Sequence, residues 1–242
     1  MVRFMAAGLG RSGGSLQEAA MAHGMAQGAA VPDWLGHLPG RLLAVDVETT
    51  GLGAEDRVVS FGAVLLDTAT LLGGSPVLAC HHLIFDPGRP SHPRAEAVHG
   101  YDDWLLRHQD PARGHLDAVA ALLAGADLVV AHNAAFDLGF LAREFRAAGR
   151  PDPARPTYCT MEAYRRRGEP GSSALDAVCR RVKLARAGAR HGALEDAWLA
   201  LRVYLWLQGC PVRVERPALA APSNLRPAPK RPDGTLPPRT PA

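Results

Sequence analysis

Arg41-Leu-Leu-Ala-Val-Asp-Val-Glu48, running on into Thr49-Thr50-Gly51, decides the fold. The run is apolar enough for a buried strand, and Gly51 marks the turn that ends it. It also carries two carboxylates, Asp46 and Glu48, two residues apart. In a strand that spacing puts both acids on one face and Val45 and Val47 on the other. Two like charges side by side in a core strand repel each other and lose hydration, unless a cation sits between them. The plainer alternative is a strand end where the acids reach water or a threonine hydroxyl.

Further strands are expected outward from this run, at 57–66 and 77–85. Ala112 to Ala124 has helical apolar spacing, and Asp127 to Ala131 is a short buried strand. Ala134 to Ala148 is a helix closed by Gly149. Leu175 to Leu184 and Gly192 to Gln208 are two more helices, the second very apolar. Three strands, then alternating helix and strand, then helices, describe an α/β domain with a mixed central sheet.

That domain spans roughly 40–210. Residues 1–39 form a flexible, Gly- and Ala-rich N-terminal extension in which Ser15 to Ala30 makes at most a weak helix. Residues 211–242 are Pro-rich and basic and are expected to be a disordered tail. The 242 residues are 47% hydrophobic and 21% charged, which argues against wholesale disorder. A net charge of +3 does not by itself establish a nucleic-acid partner. Cys80, Cys159, Cys179 and Cys210 form no C-x-x-C pair. That excludes a zinc ribbon and a disulfide scaffold, and fits reduced thiols in a cytoplasm. No apolar run reaches the ~18 residues of a membrane span, so no membrane partner is expected.

Two more acids point inward. His132-Asn-Ala-Ala-Phe-Asp137 follows the short strand and opens a helix. Asp137 shares its helical face with Phe140, Leu141 and Phe145. Capping explains Asn133, a good N-cap residue, but not an acid one turn in on the buried side. In His191-Gly-Ala-Leu-Glu-Asp196, Asp196 lies on the stripe of Leu199, Ala200 and Val203. Glu195 is expected to face water, paired with Arg202. Acids from three elements with no thiolate cluster match hard divalent ions such as Mg²⁺ or Mn²⁺. A pair of such ions can clamp a phosphodiester.

Asp46-Val-Glu48-Thr-Thr-Gly51, His132-Asn-Ala-Ala-Phe-Asp137 and His191-x₄-Asp196 together resemble the three motifs of the DnaQ-like 3′–5′ exonucleases. The histidine (DEDDh) variant is the one matched. Within the family the chain is most similar to the epsilon-type proofreading members of bacterial DNA polymerase III, over about 41–209. Val98-His99-Gly100 and Ser173-Ala-Leu-Asp-Ala-Val-Cys179 resemble further family segments.

The resemblance implies a ribonuclease H-like fold, a five-stranded mixed β-sheet flanked by α-helices. It implies that Asp46, Glu48, Asp137 and Asp196 hold two metal ions, Mg²⁺ or Mn²⁺. It makes His191 the general base, and gives Thr49, His99 and Phe136 to the terminal nucleotide. The implied partner is a nucleic-acid 3′ end, with single-stranded DNA favoured over RNA. It leaves open a role in replication or repair, and a DNA polymerase III core as partner.

Departures accompany the resemblance. The clamp-binding segment of epsilon-type members is absent: Gln208-Gly-Cys-Pro-Val-Arg213 does not match it. An acid often found five before the family histidine is Arg94 here, with Glu96 displaced by two. These favour a stand-alone exonuclease over a polymerase subunit. A non-catalytic single-strand-binding module would be expected to lack at least one of the five motif residues, and all are present. Gly8-Leu-Gly-Arg-Ser-Gly13 matches a dinucleotide-binding fingerprint but lacks its strand context. In Cys80-His81-His82, strand alternation buries one histidine and exposes the other.

Overall fold

The computed structural model describes residues 32–73, 77–188 and 190–239. The weak helix over Ser15 to Ala30 and the glycine pattern at 8–13 lie outside them. Five strands form one sheet: β1 Arg41–Thr49, β2 Val58–Asp67, β3 Val77–Ile84, β4 Leu128–Ala131 and β5 Thr157–Cys159. Their order is β3-β2-β1-β4-β5. β1 pairs antiparallel with β2 and parallel with β4, while β4 pairs parallel with β5. The sheet is therefore mixed, as expected. β5 was not evident in the sequence, because its three residues carry too little apolar pattern to stand out.

The helices are α1 Asp33–Gly36, α2 Pro93–His99, α3 Asp103–Leu106, α4 Leu116–Ala124, α5 Ala134–Ala147, α6 Thr160–Arg166, α7 Leu175–Arg181 and α8 Ala193–Leu207. They cover both faces of the sheet. Alternation along β1 sends Leu43, Val45 and Val47 into one core with Phe140, Leu141 and Phe145 of α5. Leu42 and Ala44 face the other core, filled by Leu199, Leu201 and Val203 of α8. Asp46 and Glu48 continue that second face, so both acids lie on the side of the sheet that α8 crosses.

α8 approaches the sheet closely. Asp46 stands opposite Gly62 of β2. A Cβ on Gly62 would lie 2.1 Å from the backbone carbon of Ala193 and 2.2 Å from the nitrogen of Leu194. Only glycine leaves room for the first turn of α8, which carries Asp196, to lie against the strand beside Asp46.

Several expectations need correction. Residues 33–36 are part of the folded region, because Leu35 and Leu38 are buried in the α8-side core. Helix 112–124 divides into a 3₁₀ turn, Ala112–Gly114, and α4. Residues 211–239 form no helix or strand, yet they are held against the domain. Asn224 accepts from the Ile84 backbone N–H at 2.9 Å and donates to its carbonyl at 2.7 Å. Arg226 pairs with Asp110, Arg231 with Asp102, and Arg239 with Asp86 and Asp103. The basic charges that suggested a free tail are the charges that fasten it. His81 and His82 are both half-buried, so alternation does not separate them; His82 meets the Tyr101 hydroxyl at 3.1 Å and the tail carbonyl of Ala220 at 3.0 Å. No helix among the described residues is long and apolar enough to cross a membrane.

Candidate metal centre and nucleotide pocket

β1 and α8 supply three acids that meet. One oxygen each from Asp46, Glu48 and Asp196 lies within 4.8 Å of the others. Glu48 and Asp196 are buried, and Asp46 is half-buried. The fourth acid, Asp137, comes from the first turn of α5 and is only 2% exposed. Its Oδ1 accepts the Val47 backbone N–H at 3.1 Å, which ties it to the strand between the two β1 acids. Its Oδ2 is buried and has no hydrogen-bond partner among the described residues. Asn133 precedes α5 at the N-cap position but caps nothing with its side chain. It adopts φ +74° instead, the left-handed turn that asparagine tolerates, and this swings the chain from β4 into the helix.

The electrostatics are those of crowded, dehydrated carboxylates. Burial raises the Glu48 pKa to about 7, with Asp196 adding to the rise. Burial raises Asp137 to about 8, and the charges of Glu48 and Asp196 push the same way. Asp46 is raised well above its ordinary value by burial, then by Asp137, Asp196 and Glu48. Such a site is held at high energy when ionised without a cation. The geometry fits a hard divalent ion: oxygen donors only, mutual reach, and one buried carboxylate oxygen unpartnered.

An arginine and a histidine border the acids. Arg186 binds Asp196 Oδ1, and its other nitrogen donates to Asp176 Oδ1 at 2.9 Å. His191 Nδ1 stands 3.0 Å from Asp196 Oδ2. A carboxylate only accepts, so Nδ1 carries the hydrogen and Nε2 is the free basic nitrogen. That Nε2 lies 3.7 Å from Asp176 Oδ2. The hydrogen bond to Asp196 raises the His191 pKa. The loop is fixed because the His191 backbone N–H donates to the Val98 carbonyl at 3.0 Å.

Arg186 and Asp176 were missed in the sequence. An arginine five residues before a histidine in an irregular loop has no pattern, and Asp176 passes for an ordinary first-turn acid. Glu195 does not face water. It is 6% exposed, accepts the Ala187 backbone N–H at 2.6 Å and meets Arg216 at 3.5 Å. Arg202, its expected partner, instead donates to the Val214 carbonyl. The basic tail supplied a nearer cation that helix spacing could not reveal.

Beside Glu48 opens a cavity of about 430 Å³. Thr49, His99 and Phe136 all line it. The Thr49 hydroxyl is already used, donating to the Gly51 carbonyl at 2.7 Å. His99 is buried, and its Nδ1 accepts the Tyr101 backbone N–H at 3.0 Å. Its Nε2 has no partner among the described residues. Burial lowers its pKa to about 4, so the ring is neutral. Phe136 packs on Phe140 with ring centres 4.7 Å apart and presents an aromatic surface to the cavity. His132, also in the motif, bonds Thr160 at 2.9 Å and the Ser173 carbonyl at 2.8 Å. It ties β4 to α6 and to the segment before α7.

Residues 43–204 match a family model described as "Exonuclease". The chain is 34% identical over 180 residues to the DNA polymerase III subunit epsilon of Escherichia coli (strain K12), covering 70% of this chain and 72% of that one. Among solved structures, exonuclease X in complex with 5′-overhanging duplex DNA superposes with a TM-score of 0.54 at 21% identity, over 70% of this chain and 92% of the other. A product-bound exonuclease I gives a TM-score of 0.60 at 16% identity, over 71% of this chain and 44% of the other.

Proposed function

Because the chain belongs to the exonuclease family that its residues 43–204 match, and is a DnaQ-like 3′–5′ exonuclease, we propose that it removes 5′-mononucleotides from the 3′ ends of single-stranded DNA. The observation that carries this reading is the meeting of Asp46, Glu48 and Asp196 within 4.8 Å, beside a cavity of about 430 Å³. That volume is in the range of sites for one small ligand.

Asp46, Glu48, Asp137 and Asp196 would hold divalent ions, Mg²⁺ or Mn²⁺, by their oxygens. When bound, the ions supply charge stabilisation for the phosphodiester and lower the pKa of the attacking water. The rest falls to side chains. His191 Nε2 takes the proton of the attacking water, while Asp196 holds the ring through Nδ1. Phe136 offers a face on which any base can stack, which suits removal without regard to sequence. His99 Nε2 offers a hydrogen bond to the sugar. Thr49 supports the turn that closes the cavity through its bond to Gly51.

The relatives named DNA polymerase III subunit epsilon support an action on DNA and a place in proofreading or repair. The test uses 5′-labelled single-stranded DNA and its RNA equivalent, with Mg²⁺, Mn²⁺ or EDTA. An Asp46→Ala/Glu48→Ala double variant controls for contaminating nuclease. Shortening of the DNA from its 3′ end, lost with EDTA and in the variant, is expected. Faster shortening of the RNA would move the substrate to RNA. No shortening of either strand would overturn the reading.

A further inference from the structure

The nucleotide cavity is lined by unlike groups. Glu48 joins it to the acidic centre, and α2 contributes Arg94 to its wall. Arg94 is exposed, and its guanidinium has no hydrogen bond or ion pair among the described residues. Its backbone is nevertheless fixed, because its N–H donates to His92 Nδ1 at 3.2 Å. Glu96, the acid of this helix, does not line the cavity; its charge neighbours are Asp102, Arg231 and Asp103. His99 is neutral, and Arg94 is the permanent positive charge among the residues that line the cavity.

We infer that Arg94 receives a phosphate on the 3′ position of the terminal nucleotide, so that the enzyme accepts 3′-phosphorylated ends as well as 3′-hydroxyl ends. This rests on the exonuclease reading above. The scissile phosphate, on the 5′ side of the last nucleotide, belongs at the acids. The base belongs against Phe136. The substituent left to reach the α2 wall is the one at the 3′ carbon. A hydroxyl there needs no cation. A guanidinium without a partner, with its planar fork of donors, matches a phosphate.

The chemistry balances without a further reactant. The water oxygen bonds to the phosphorus of the last diester. The bond from that phosphorus to the 3′ oxygen of the preceding nucleotide breaks. One water proton goes to His191 Nε2, and the leaving oxygen is protonated. The products are a nucleoside 3′,5′-bisphosphate and a strand one residue shorter that ends in a hydroxyl.

The test compares two 5′-labelled DNA strands of one sequence, ending in a 3′-hydroxyl or a 3′-phosphate. The native full-length protein, Arg94→Gln and Arg94→Glu are assayed, and the first product is identified by mass. The native protein is expected to shorten both strands and to release the bisphosphate from the second. The ratio of the phosphate rate to the hydroxyl rate should fall about ten-fold or more in Arg94→Glu, the effect of losing one charge-assisted contact. Arg94→Gln should fall between. A native protein that shortens the hydroxyl strand and stalls on the phosphate would overturn the inference. So would an unchanged ratio in Arg94→Glu, or release of inorganic phosphate before any shortening. Failure on both strands would instead overturn the exonuclease reading, and this one with it.

Discussion

His191 Nδ1 lies 3.0 Å from Asp196 Oδ2, while Arg186 binds the other oxygen of the same carboxylate. One acid therefore orients His191, the proposed base, and also belongs to the group of acids proposed to hold the ions. The His191 ring is held by a group that a bound ion would share. Base and ion would thus be coupled through a single side chain on the first turn of α8.

His191→Ala is expected to lower kcat by about 10²–10⁴-fold, the usual contribution of a general base. Binding of Mn²⁺, measured by titration of the protein, should change little, since His191 is not in the acidic group. The base must be neutral to accept a proton, so the native rate should rise with pH through its pKa. That rising limb should vanish in the variant. A variant that keeps both its rate and the limb would remove His191 from the reaction.

Stability of the metal-free protein should fall as pH rises. The folded pKa values of Glu48, about 7, and Asp137, about 8, stand above their unfolded values. Between the unfolded and folded pKa the native state binds more protons than the unfolded chain. The stabilisation is whole below about pH 4, where both states are protonated, and is lost through pH 7 to 8. His191, also raised, acts with the same sign. Thermal melts in EDTA from pH 5 to 8.5 should show the midpoint declining. Saturating Mg²⁺ should flatten the decline, because the ion offsets the ionised acids. A midpoint independent of pH in EDTA would show that these acids are not destabilised when charged.

Asp137→Asn separates stability from activity. The amide oxygen can still accept the Val47 N–H, so the anchor at 3.1 Å survives. The cost of holding an acid protonated there, or charged above its pKa of about 8, beside Glu48 and Asp196 disappears. The melting midpoint in EDTA should rise by several degrees, at about 2–4 °C per kcal/mol for a domain of this size. Exonuclease activity should fall by about a hundred-fold or more through weakened ion binding. A destabilised variant with unchanged activity would place Asp137 in the core packing alone.

Much of this site was legible because its chemistry contradicts its setting. Asp46 and Glu48 break an apolar strand, and Asp137 and Asp196 interrupt apolar helical stripes. Each is a polar residue at a position where periodicity demands an aliphatic one, and the structure buries three of the four and half-buries Asp46. Arg186 and the true partners of Glu195 were not legible, since they come from a loop and the basic tail, where no period constrains the side chain; Asp176, in the first turn of α7, passes for an ordinary helix-start acid. β5 and the course of 211–239 were hidden for the same reason. A three-residue strand and an extended strap take their order from the surface they lie on. Their own sequence carries little of it.

Gly62 tests whether the close approach of α8 sets the acid geometry. Gly62→Ala places a methyl 2.1–2.3 Å from the Ala193 and Leu194 backbone. Those atoms belong to a helix and cannot rotate away, so α8 must move. Overpacking of this kind costs about 1–3 kcal/mol, and more where backbone must shift. The displacement carries Asp196 away from Asp46. Stability and Mn²⁺ affinity should therefore fall together. A stable variant with native affinity would show that the first turn of α8 has slack.

Asn224 tests the strap. β3 is an edge strand, and a free edge invites pairing with other chains. Asn224 covers it as a strand residue would, with one acceptor and one donor on Ile84. The neighbouring Ser223 N–H donates to the His82 carbonyl at 2.8 Å. Asn224→Ala removes both side-chain bonds, at about 0.5–1.5 kcal/mol each. The midpoint should drop by a few degrees, and the Ile84 amide should exchange its hydrogen faster. The two readouts distinguish a fastening from a passive contact. If the amide keeps its native protection in the variant, residues 211–239 do not hold the β3 edge, and its shielding must come from elsewhere. If protection falls, high salt should reproduce part of the loss in the native protein, because the same strap is fastened by the ion pairs of Arg226, Arg231 and Arg239.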